Sequence, residues 1–75
     1  MHIEFKLPTG SGGQAAQYVN TMLDRELTEW SLQYGVPYTK TVMHFQARVE
    51  LDQDRDYTVF VLTWHYPWPQ WRICD

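Results

Sequence analysis

Three histidines, one cysteine, a run of alternating aspartates and a glycine-rich turn are the groups of this chain that could do chemistry. His2, His44 and His65 could each offer an imidazole nitrogen to Zn²⁺, which accepts such ligands in a tetrahedral shell. Asp52-Gln53-Asp54-Arg55-Asp56 carries oxygens at alternate positions, like the first half of a calcium loop. The second half fails, since Tyr57 stands where that loop needs Gly and Thr63 where it needs a bidentate Glu. Gly10-Ser11-Gly12-Gly13-Gln14-Ala15 spells G-x-G-x-x-A, which between a strand and a helix lets backbone approach a pyrophosphate. A dinucleotide fold also needs further parallel strands and an acidic ribose ligand, which this sequence does not supply. No cofactor is expected, and the glycine run reads as a connector.

Nucleophilic chemistry is poorly provided for. Cys74 has no sequence neighbour to orient or activate it, and no Ser sits in a nucleophile elbow. Glu26 and Glu29 are expected on a water-facing helix surface with nothing to raise their pKa. The chain is therefore read as a non-enzyme, and the histidines as polar residues on a solvated face rather than a metal centre.

Composition narrows the partners. At 75 residues the chain has room for one core, and an aromatic fraction of 16% supplies most of what can be buried. Nine acidic against six basic residues give a net charge of -3, which makes nucleic acid an unlikely partner because general grip on phosphates needs a basic excess. The acids suit a protein partner with a basic surface. One cysteine excludes an internal disulfide and points to a reducing, cytoplasmic setting, and no apolar run is long enough to cross a membrane.

Hydrophobic spacing places these groups on elements. Over 2–7, Ile3, Phe5 and Leu7 alternate with His2, Glu4 and Lys6, the pattern of a half-buried strand. Over 13–34, apolar residues at three-and-four spacing, from Val19 and Leu23 to Leu27 and Trp30, predict a long amphipathic helix that Ser11 could cap and that Gly35 and Pro37 end. Alternation over 38–52 predicts a second strand, and the β-branched and aromatic run 57–66 a third. A loop at 53–56 would then pair Phe60 with Val49 and set His44 beside His65 on the outer face. The fold class expected is α+β, a β-α-β-β chain with one helix on a three-stranded sheet in the order 1-3-2. An extended Trp- and Pro-rich tail over 67–75 completes it.

That fold leaves a helix-free sheet face carrying Val42, His44, Gln46, Arg48, Val59, Val61, Thr63 and His65, with Trp68 and Trp71 beside it on the tail. Aromatics next to a mixed polar face are what protein interfaces use. The Asp52, Asp54 and Asp56 tip is a second candidate contact. The leading expectation is a protein-binding inhibitor or adaptor, with homodimerisation through the open face as another mode. In size, acidity and lack of catalytic groups the chain resembles, in type, the small inhibitors of phages and mobile elements that block a host protein complex, anti-CRISPR proteins among them; no motif carries a family. The alternatives are single-stranded nucleic-acid binding by aromatic stacking, and a small metal-binding protein.

Overall fold

The computed structural model describes residues 1–9 and 13–75 and is α+β: two helices lie on one face of a four-stranded antiparallel sheet. In chain order the elements are β1 (His2–Lys6), α1 (Gln14–Tyr34), β2 (Tyr38–Met43), β3 (Gln46–Leu51), α2 (Asp54–Thr63) and β4 (Trp71–Cys74). The strands stand in the order β2-β3-β1-β4. Two β-α-β units thus interleave in one sheet, which is the ferredoxin-like or split β-α-β order.

Three expectations are corrected here. The span 38–52 is a hairpin rather than one strand, because His44 and Phe45 turn the chain and Met43 pairs with Gln46. A two-residue turn shifts the alternation by one, so Tyr38, Lys40 and Val42 share the helix side of the sheet with Leu51, Val49 and Ala47. The span 57–66 is mostly helix rather than strand, so the pairing of Phe60 with Val49 does not occur. Gln53 and Asp56 form a reciprocal capping box at the start of α2, and Tyr57, Phe60 and Trp64 fall at three-and-four spacing on its buried side. Lastly, the tail is not a free strap: β4 pairs along β1, with Ile3 opposite Ile73 and Phe5 opposite Trp71. The sheet therefore has four strands where three in the order 1-3-2 were expected.

The core fills the space between sheet and helices. Ile3, Phe5, Ala47 and Val49 from the strands meet Val19, Leu23, Leu27 and Trp30 from α1 and Tyr57 and Phe60 from α2. The Trp30 indole Nε1 donates to Thr63 Oγ1 at 2.8 Å, tying the two helices. The Tyr57 hydroxyl donates to the Met1 carbonyl at 2.7 Å and accepts from the Leu51 amide at 3.0 Å, which anchors α2 to the sheet. Gly35 closes α1 at φ 66°, a left-handed conformation that suits a residue without a Cβ, and its N–H donates to the Ser31 carbonyl. The proposed Ser11 cap and most of the glycine run lie outside the described residues.

Glu26 departs from its expected place in water. It falls within the apolar stripe between Leu23 and Trp30 and is buried, with Oε2 lacking a hydrogen-bond partner among the described residues. Burial raises its pKa above the usual carboxylate range, Arg25 opposing the shift and Glu29 adding to it. A folded-state pKa above the unfolded one means that the protonated group's stabilising contribution is complete below the ordinary range and is lost as pH rises through the raised value. At neutral pH the ionised side chain thus costs stability. Glu26→Gln is expected to stabilise the domain by about 1 kcal/mol at pH 7, lifting the melting temperature roughly 4–8 °C. The gain should fade below about pH 4, where both states carry the proton. A variant that melts below wild type at pH 7 would refute this account.

Candidate functional site

Neither helix covers the second face of the sheet, and the strand registers specify what stands on it. Across the middle run Thr41, Arg48, Glu4 and Arg72; one row further along are Met43, Gln46 and Lys6; at the other end His2 stands opposite Cys74. All are positions whose strand neighbours point into the core. Charge is segregated accordingly. Lys6, Arg48 and Arg72 face Glu4 and Glu50 here, whereas Asp24, Glu26, Glu29, Asp52, Asp54 and Asp56 lie on the helices or at the start of α2. A molecule of net charge -3 thus carries more cations than acids on its open face.

At the C-terminal end of β1 this face opens into two adjoining hollows. One, of about 450 Å³, is lined by Lys6, Gln46, Phe45, Gln70, Trp71 and Arg72 among others; the second, of about 290 Å³, shares Lys6 and Gln70 with it and adds Pro8 and Trp68. Two exposed aromatics, Phe45 at 48% and Trp68 at 49%, thus line one hollow each, and the two hollows share Lys6 and Gln70. Backbone pairing holds the frame: the Lys6 amide donates to the Gln70 carbonyl and the Leu7 amide to the Phe45 carbonyl, both at 2.8 Å.

Phe45 is held against its own preference. Its φ is 55°, in the left-handed region that costs an L-residue roughly 1–2 kcal/mol and that hairpin turns usually give to Gly or Asn. The ring is 48% exposed and stands outside the buried core cluster. Strain of this kind collects where function needs a side chain presented.

Glu4 organises the neighbouring part of the face. Its Oε2 accepts from His2 Nε2 at 3.1 Å and from the Cys74 thiol at 3.3 Å, and its Oε1 accepts from Arg72 Nη2 at 3.2 Å. Hydrogen bonds from His2, then Cys74 and Arg72, hold the carboxyl at a pKa of about 2. Burial, then the adjacent Glu4, pushes the Cys74 thiol up. A raised pKa favours the protonated thiol. No family model, curated protein or solved structure matches this chain.

The residues named from sequence are scattered by the fold. Gln46 and Arg48 stand on the open face as expected, while Val42 is on the helix side at the sheet edge. Val59, Val61 and Thr63 belong to α2, and His65 follows it, so His44 at the hairpin turn is not its cross-strand neighbour. The set His2, His44 and His65 does not form; His2 is grouped with Glu4 and Cys74 instead. Trp68 is exposed at the second hollow, but Trp71 shares the core side of β4 and meets Phe60 edge-on at 4.8 Å. Asp54 and Asp56 occupy the first turn of α2, with Asp52 just before it, where negative charge complements the helix dipole. Lys6, Phe45, Gln70 and the Glu4 cluster were missed. Alternation in Trp71-Arg72-Ile73-Cys74 could have signalled β4; nothing in the sequence marks Phe45 as a turn residue.

Proposed function

We propose that this chain is a non-enzymatic protein-binding module whose working surface is the open sheet face at the C-terminal end of β1, and that it takes an acidic segment of its partner. The observation that carries this reading is the pair of exposed aromatics, Phe45 and Trp68, one in each of two hollows that share Lys6 and Gln70. Exposed rings beside a few fixed polar groups are how interface anchors are seated, and Lys6 between the hollows favours carboxylates over a basic partner. An inhibitor or adaptor acts by occupying a surface, as phage-encoded inhibitors of host complexes do, and needs no more machinery than this. The same two rings and cations also support the alternative, a single-stranded nucleic acid stacking on Phe45 and Trp68. Against it, four-stranded modules that bind RNA carry their aromatics on the open face of the sheet, and here those strand positions hold Glu4, Lys6, Arg48, Thr41 and their like.

Affinity capture from a host lysate, followed by titration of the captured protein, tests the proposal. Wild type should retain a protein, and Lys6→Glu should weaken that complex about tenfold with a flatter salt dependence. Capture of oligonucleotides with steep salt sensitivity would replace the proposal with the nucleic-acid reading. Self-association alone, abolished by Lys6→Glu, would make the face a homodimer interface.

A further inference from the structure

Apart from the partner-binding reading, and not resting on it, we infer that His2, Glu4 and Cys74 form a binding site for a divalent transition-metal ion of the Zn²⁺ class. His2 and Glu4 are two apart on β1 and so share a face, and Cys74 lies directly opposite His2 on β4. Their ligand atoms all fall within 4.8 Å of one another. A tetrahedral Zn²⁺, with bonds of about 2.3 Å to sulfur and about 2.0–2.1 Å to nitrogen and oxygen, sets its ligand atoms roughly 3.3–3.5 Å apart. The distances of 3.1 Å from His2 and 3.3 Å from Cys74 to Glu4 Oε2 are within a few tenths of that, while the His2 nitrogen and Cys74 Sγ lie within 4.8 Å of each other and would draw together on the ion.

The chemistry of the donors agrees with the geometry. Imidazole, thiolate and carboxylate are all zinc ligands. The two hydrogen atoms that now point at Glu4 Oε2, one on the thiol and one on the imidazole, occupy the place of the ion. On binding, the thiol proton leaves to solvent and Sγ takes the metal as thiolate, while His2 presents Nε2 as a lone pair and carries its proton on Nδ1. Arg72 bonds the other oxygen, Oε1, and so orients the carboxylate with Oε2 turned inward, the role of an outer-shell partner. His2 and Glu4 are largely shielded, their side chains exposing 11% and 18%. Thiolate and carboxylate together neutralise a dication, which suits a face that also holds Lys6, Arg48 and Arg72. Three protein ligands leave one tetrahedral corner to water.

Zn²⁺ alone, added to the full chain under reducing conditions at neutral pH, tests this. Wild type should bind one ion per chain, release a proton and melt about 10 °C or more higher at a hundredfold excess over Kd. Its Co²⁺ form should show a thiolate-to-metal charge-transfer band. Cys74→Ser, which keeps a hydroxyl donor for Glu4, should bind roughly a hundredfold or more weakly and lose the band, and Arg72→Gln should lose about tenfold. A chain with His44→Ala and His65→Ala should bind as wild type. The inference is overturned by a wild type that takes up no stoichiometric ion or shows no Co²⁺ band, by undiminished binding in folded Cys74→Ser, or by loss of binding in the His44 and His65 variant.

Discussion

Phe60→Ala is expected to strip the domain of a large share of its stability and to bring its urea midpoint well below that of wild type. Phe60 is fully buried on α2, stacked on Trp64 at 5.0 Å and met edge-on by Trp30 at 5.4 Å, Phe5 at 6.1 Å and Trp71 at 4.8 Å. It therefore joins α1, α2, β1 and β4 through one ring. Truncating such a ring costs about 3–5 kcal/mol, cavity included. A domain of this length has a total stability of roughly 4–11 kcal/mol, so one substitution removes much of it. Leu62→Ala on the same helix, at a position 78% exposed, should change stability by less than about 0.5 kcal/mol. The pair also discriminates helix from strand. On a strand, Phe60 and Leu62 would share a face and cost alike; on α2 they do not. Urea midpoints followed by circular dichroism measure both, and equal losses would contradict the helical assignment of 54–63.

Phe45→Gly is expected to move stability and binding in opposite directions. Glycine accepts φ 55° without the Cβ penalty, so the hairpin should gain about 1 kcal/mol. The ring lies outside the buried core cluster, which limits how far lost packing offsets that gain. At the hollows the same change removes one of the two exposed aromatics, and loss of an interface anchor costs about 2 kcal/mol, or roughly thirtyfold in affinity for the captured partner. Thermal melting and a binding titration on the same preparation read the two effects. A variant that is more stable and binds as tightly as wild type would show that the strained ring does not serve the interface. The measurement separates function from folding, since a better-folded protein that binds worse cannot owe its defect to instability.

Much of the architecture was legible from local pattern. Alternation in β1 and the three-and-four stripe of α1, ended by Gly35 and Pro37, reflect backbone periods that act over a few residues. Tyr57 to Thr63 was not decidable that way. Its apolar side chains satisfy either period, and β-branched residues favour the strand on propensity alone. The outcome turned on the capping box of Gln53 and Asp56 and on a sheet face wide enough to need a second helix. Propensity is a weak prior when tertiary packing disagrees.

The sequence by itself determined an α+β domain with a long amphipathic helix and an aromatic core. Only the tertiary structure decided which side chains share the open face of the sheet. Glu4 and Cys74 stand 70 positions apart in sequence and within hydrogen-bond reach in space; Phe45 and Trp68 reach the two hollows that share Lys6 from a turn and a tail segment with no local pattern in common. Strand pairing is non-local, and a register offset of one residue would turn each of these side chains to the other face. Periodicity specifies which residues can share a face of one element, while the neighbours across a sheet follow from how the whole chain closes on its core.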